Sequence, residues 1–237
     1  MKKIMILSVL VIFTSISCTL TNNKTKGNGN VTTEQRTVSS FDNIKIDGVL
    51  NVYLSQGDTE GVTVEIDDNL QQYVIVSNDG NKLTIESKDK FSNTTKNNVY
   101  ITLKNLDYLD ISGVGNVKTQ TAIKSDQIKL DVSGVGNRHL ELICQGIEVK
   151  KSGVGEVVLW GEASEFIVKK SGVGNLEARE LKAGIVSVNS SGVGNVSIYA
   201  SEELSISNSG VGNVTYRGDA VIKAMDSSGV GKINKVD

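Results

Sequence analysis

The chain of 237 residues has no proline, one histidine, one tryptophan and two cysteines, and Phe, Trp and Tyr together make up 5% of it. Proline lacks the N–H that an unbroken backbone ladder needs, so its absence suits an all-strand chain with few free edges. A broad globular core would use more large aromatics, whereas stacked Val, Ile and Leu can fill a narrow one. The two cysteines exclude a multi-bridge disulfide framework. His139 is the only histidine, so a Ser-His-Asp constellation could rest on that residue alone. The formal charge of −2 argues against a nucleic-acid partner, which usually leaves a basic patch. No amphipathic helical periodicity of useful length is present.

What the chain does contain is a repeat. Ser-Gly-Val-Gly occurs seven times, beginning at Ser112, Ser133, Ser152, Ser171, Ser191, Ser209 and Ser228. Five copies continue with Asn (Asn116, Asn137, Asn175, Asn195, Asn213); the others have Glu156 and Lys232. Such a period, about 20 residues, marks a solenoid, in which each repeat buries its apolar face only against its neighbours. Apolar pairs such as Val168/Phe166 and Leu176/Ala178 flank the motif with period two. The expected fold is therefore all-β, a parallel β-helix with one coil per repeat, right-handed by the usual chirality preference.

Within each coil, the repeat Val is expected to point inward between two glycine bends, with the inward phase slipping once near each Gly. The residue before each Ser runs Ile111, Val132, Lys151, Lys170, Ser190, Asn208 and Ser227. That polar drift suggests a strand already leaving the core. The Asn column suggests a side-chain amide ladder. Lys232 breaks it in the last coil, and Lys235 adds a charge nearby, so the C-terminal end is expected to be the exposed edge.

The N-terminus reads as an address. Lys2 and Lys3 precede an apolar run, Ile4 to Phe13, too short to span a membrane. Ser15-Ile16-Ser17-Cys18 resembles a bacterial lipoprotein lipobox, with Ser15 standing where Leu is usual. Residues 1–17 are then a signal peptide and Cys18 the lipidated first residue. Residues 18–36, rich in Thr, Asn, Lys and Gly, are expected to be a disordered tether. With Cys18 acylated, Cys144 has no disulfide partner, and its apolar surroundings make it a small buried hydrophobe.

The remainder, 37–237, reads as a single domain, with 37–105 as irregular initial coils that cap the solenoid and 106–237 as the regular repeats. Candidate strands are 41–46, 49–54, 62–66, 73–77, 83–86 and 99–103, separated by turn signals such as Asn78-Asp79-Gly80-Asn81. Asp47-Gly48-Val49-Leu50-Asn51-Val52 looks like a degenerate first repeat, and Lys88 to Asn98 like a surface loop.

These residues, Phe41-Asp42-Asn43-Ile44-Lys45-Ile46-Asp47-Gly48-Val49, Val52 to Asp58 and the repeats together, resemble the autotransporter adhesin, head GIN domain family. The resemblance covers the chain from about Val38 onward. It implies a right-handed β-helix outside the cytoplasm, often on an envelope lipoprotein, and a suggested adhesive role. No membrane barrel follows Asp237, so a lipid anchor is expected to serve in its place.

Candidate sites are few. Gly-Val-Gly-Asn lacks the following helix that a phosphate loop needs. Asp67/Asp68 and Asp107/Asp110 read as turn residues rather than cation ligands. Lys150, Lys151, Lys169 and Lys170 stack in successive coils as a basic patch able to meet an anionic glycan, and recognition is expected from variable residues such as Lys151, Lys170 and Asn208. No catalytic, metal or cofactor residues are assigned. The function expected is a non-enzymatic, lipid-anchored envelope module, held to the membrane, on the outer membrane with its domain facing the periplasm or the surface, and binding a glycan, matrix component or envelope protein. A carbohydrate-active enzyme and a self-associating structural protein are the alternatives.

Overall fold

The computed structural model describes residues 24–88 and 91–237. Four long strands, Arg138–Lys151, Val157–Lys170, Leu176–Ser190 and Val196–Asn208, each run from just after one Ser-Gly-Val-Gly to just before the next. They stack in parallel and nearly in register: Val157 lies between Arg138 and Leu176, and Phe166 between Ile147 and Val186. The result is a parallel β-solenoid whose core is a stack of aliphatic columns. One column runs in seven steps from Val52 through Val117, Arg138, Val157, Leu176, Val196 and Val214 to Ile233.

The corner differs from the sequence expectation. Val114, Val135, Val154, Val173, Val193 and Val211 are 49–51% exposed and Val230 is 71% exposed, so the repeat Val points outward. The reason is parity. Counting in twos from Phe166 gives Val168, Lys170, Gly172, then Leu176 and Ala178, all buried, while Ser171 and Val173 are exposed. The inward phase passes through the motif unbroken, and the two glycines occupy the inward positions. The slip occurs on the opposite side of the coil, where Ala163 and Phe166 are successive buried residues three apart. The next coil, one residue longer, has two such steps, Ala178 to Leu181 and Ala183 to Val186.

Glycine is required because the coils touch through their backbones there. Val173 N donates to Gly153 O at 3.0 Å and Gly174 N donates to Val193 O at 2.9 Å, tying the corner to the coils on either side. A Cβ on Gly172 would lie 2.2 Å from that same Gly153 oxygen. Gly174 adopts φ +108°, and a Cβ there would meet Gly155 O at 2.2 Å. The Val side chains stack on one another outside, from Val49 to Val230. The Asn column forms a ladder of a particular kind. Asn116, Asn137, Asn175, Asn195 and Asn213 each accept, through Oδ1, the backbone N–H of the following coil, and the one gap falls at Glu156. Asn51 accepts from Asn116 N in the same way, which makes residues 47–52 a true first repeat.

The N-terminal cap is built out of chain order. Strands Lys82–Ser87 and Asn97–Leu103 pair in parallel with Asn43–Asp47 and Asn51–Gln56, so the later segment forms the coil beneath the earlier one. Antiparallel strands Val74–Asp79 and Gly61–Asp67 then cover that coil's edges, linked by a 3-10 helix, Asp68–Tyr73, that buries Leu70. Of the segment 18–36 expected to be a tether, residues 18–23 lie outside the described residues, and the rest contains two strands instead. Val31–Arg36 is an antiparallel partner of Gly61–Asp67, and Thr25–Lys26 pairs with Phe91–Ser92. Backbone pairing, which composition does not report, holds this polar segment. Buried Asp67 locks it, accepting from Gly29 N at 2.7 Å and from Thr95 N at 2.8 Å and Thr95 Oγ1 at 3.1 Å. Phe91 is buried inside the segment read as a loop. At the other end, Val221–Ser227 is exposed along its whole length, and among the described residues no strand covers its outer side.

Substitution separates the two kinds of repeat residue. Val173→Ser should change unfolding free energy by no more than about 0.5–1 kcal/mol. Gly174→Ala should cost at least about 2 kcal/mol through positive φ and backbone overlap. Urea denaturation of the two variants reads the difference directly.

Candidate functional site

The strand leading into each Ser carries alternate residues outward. Two positions before the Ser, these form a column of Asp110, Asp131, Lys150, Lys169 and Asn189. The column meets the exposed hydroxyls of Ser133, Ser152, Ser171 and Ser191 along a groove of about 540 Å³. At one end Tyr108 Oη donates to Asp131 Oδ2 at 2.7 Å. That bond, together with burial, pushes the Tyr108 phenol well above its ordinary range. Burial raises the Asp110 carboxyl, against the opposing pull of Lys45. Farther along, Lys150 lies 3.9 Å from Asp131, and Lys169 Nζ donates to Glu148 at 2.8 Å, which holds the Glu148 carboxyl low.

Of the four lysines expected to form one patch, only Lys150 and Lys169 face the groove. Lys151 and Lys170 are each 1% exposed and point into the solenoid, because the strand keeps its alternation to the Ser and does not leave the core. Asn208 is buried for the same reason and cannot contact a ligand directly. Their polar heads are met by corner carbonyls. Lys151 Nζ donates to Val173 O at 2.9 Å and, more weakly, to Gly153 O at 3.4 Å. Lys170 Nζ donates to Gly194 O at 3.1 Å, and Asn208 Nδ2 to Gly212 O at 3.1 Å.

A third buried cation, Arg138, is absent from the candidates above. It sits five residues after Ser133, where the other coils have Val117, Val157, Leu176, Val196 and Val214, so the repeat spacing alone marks it as inward. One guanidinium nitrogen donates to Gly136 O, while Nε and Nη2 have no hydrogen-bond partner. Burial first, then the charges of Lys170 and Arg138, lowers Lys151 to about 8; burial also lowers Lys170 and Arg138.

The other sequence candidates lie apart from the groove. His139 is half-buried and faces outward between Lys118 and Val158. Cys144 is buried and its thiol is pushed up to about 11 by desolvation, which suits a packing role. Asp67 serves the N-terminal lock, and Asp68 accepts from Asn28 and Asn30. Cys18 lies outside the described residues. Chemically, the groove offers hydroxyls at coil spacing, two ammonium groups and two carboxylates, a set suited to holding a polar chain.

The buried lysines set a pH dependence of stability. Lys151 binds its proton more weakly folded, near 8, than unfolded, near 10.4, so the unfolded state holds more protons between those values. Stability should therefore rise with pH from about 8 to about 10 on account of this group. Thermal melting across that window should show a shallower rise for Lys151→Met than for the wild type.

Comparison with known proteins agrees with this architecture. The family model described as "Putative auto-transporter adhesin, head GIN domain" matches residues 40–220. The crystal structure of a protein described as a putative adhesin, from Bacteroides fragilis NCTC 9343, superposes with a TM-score of 0.86 at 30% identity, covering 89% of this chain and 99% of that one. A putative adhesin from Parabacteroides merdae ATCC 43184 gives 0.67 at 24% identity, over 90% and 99% of the two chains. A protein described as a putative lipid binding protein, from Parabacteroides distasonis ATCC 8503, gives 0.71 at 23% identity, over 90% and 100%. The last two share the fold. A comparison with curated proteins finds no match. With the family model spanning most of the coils and the repeat corners accounting for the fold, the chain belongs to the auto-transporter adhesin, head GIN domain family.

Proposed function

We propose that this chain is a non-catalytic, lipid-anchored binding module of the cell envelope. One observation carries the reading: parallel stacking holds outward polar side chains in columns along a rigid surface, so the Ser, Lys and Asp of the groove are ordered before any ligand arrives. Preorganisation of that kind favours binding because less side-chain entropy is lost on contact. The family and the Bacteroides neighbour, both described as adhesins, support a surface or envelope role.

The anchor fits the topology. Cys18 stands seven residues before Thr25, so even a fully extended link between them, about 25 Å, is shorter than the roughly 34 Å of a seven-step column. That strand and Val31–Arg36 belong to the cap, so an acylated Cys18 would hold the capped end near the membrane and leave the coils free to project outward.

Cells carrying the protein should retain a glycan, matrix or cell ligand that a deletion strain does not. Equal retention across a broad panel would remove the adhesive role. Protease treatment of intact cells should cleave the protein at the surface, and Cys18→Ala should release it from the membrane fraction. A Cys18→Ala protein that stays membrane-bound would remove the lipid anchor.

A further inference from the structure

The groove is not electrically uniform. Tyr108, Asp110 and Asp131 make one end acidic, while Lys150 and Lys169 occupy the other, beside the exposed hydroxyls of Ser152 and Ser171. Directly inside that second end lie the ammonium groups of Lys151 and Lys170. Each is adjacent in sequence to a groove lysine, and each is bonded to backbone carbonyls rather than to a carboxylate. Arg138 adds a third buried cation, with two nitrogens lacking partners. Outside, Asp131 and Glu148 offset Lys150 and Lys169. The three interior charges have no such offset among the described residues.

A buried charge in a low-dielectric surround acts farther than an exposed one and is less screened by salt. The interior cations therefore bias the basic end of the groove toward anions. We infer that this end binds an acidic polysaccharide, its carboxylates or sulfates lying between Lys150 and Lys169 and its hydroxyls on the Ser column. The inference rests on the binding-module reading. An extended polymer suits the site because the hydroxyls of Ser133, Ser152, Ser171 and Ser191 recur at the spacing of neighbouring strands, one per coil. One coil step is close to the advance of one sugar residue in an extended chain. A single-stranded nucleic acid is the poorer fit, because the residues lining the basic end include no aromatic ring on which a base could stack.

The buried lysines also give the site a pH response. Lys151 faces Lys170 from the next coil, Arg138 from the strand after the preceding corner, and the carbonyls of Gly153 and Val173. With its proton held only to about pH 8, it contributes its charge below that value and loses it above.

The test is binding of the purified protein to polygalacturonate and dextran sulfate, with neutral dextran and polyglutamate as controls. At least one acidic polysaccharide should bind more tightly than both controls. Lys150→Ala with Lys169→Ala should weaken that binding about tenfold or more, the scale of a lost charged hydrogen bond. Lys151→Met should weaken it several-fold even as it raises the melting temperature at pH 7, so the weaker binding would not come from a loss of folding. Wild-type affinity should fall between pH 7 and pH 9.5, and that fall should flatten in Lys151→Met. Equal binding of dextran and the acidic chains, or an unaffected double variant, would overturn the site; retention of a neutral glycan would then leave the binding module standing. Polyglutamate binding as tightly as the polysaccharides would overturn the glycan assignment.

Discussion

The hydrogen bond from each repeat Val N–H to a glycine carbonyl of the coil below is the constraint on which the rest of the molecule depends. It brings two backbones so close that a Cβ on the neighbouring glycine would overlap the accepting oxygen, as at Gly172 over Gly153. Glycine is therefore fixed at two positions of every repeat. The same contact carries the inward phase of the strand through the corner without a slip. Everything on one side of that phase faces water, including the Ser hydroxyls, the Val ridge and the groove lysines. Everything on the other side is committed to the interior, whatever its chemistry.

That commitment explains the buried cations. The residue before each Ser must point inward, and in the middle of the stack it is Lys151 and then Lys170. Burying an amine is costly unless its donors find acceptors, and the corner carbonyls of Val173, Gly153 and Gly194 supply them. These lysines meet carbonyls instead of carboxylates, so their charge is solvated locally but not neutralised. The groove outside inherits the field of charges it does not display.

The cap follows from a different need. A solenoid leaves an unpaired edge at each end, and an exposed edge is a template for association. At the N-terminal end the chain places strands Lys82–Ser87 and Asn97–Leu103 beneath Asn43–Asp47 and Asn51–Gln56 and covers that coil with antiparallel strands. The polar Val31–Arg36 completes the cover, held by its backbone and by Asp67.

Much of this is legible in the residues alone. The spacing of Ser-Gly-Val-Gly and the period-two apolar pairs specify a parallel solenoid, because only stacked coils can bury so few aliphatic residues per repeat. Strand positions in the first half, such as Val62–Ile66 and Leu83–Glu86, follow from alternation and agree with the observed strands to within a residue or so. The direction of the repeat Val is not legible in the same way, since its apolar character suggests the core, whereas backbone approach at the glycines puts it outside. The sequence by itself determined the repeat, the strands and the columns of identical residues. Only the tertiary structure decided which lysines reach the groove and in what order the first coils stack, because both depend on backbone hydrogen bonds between segments far apart in the chain, which side-chain patterns do not encode.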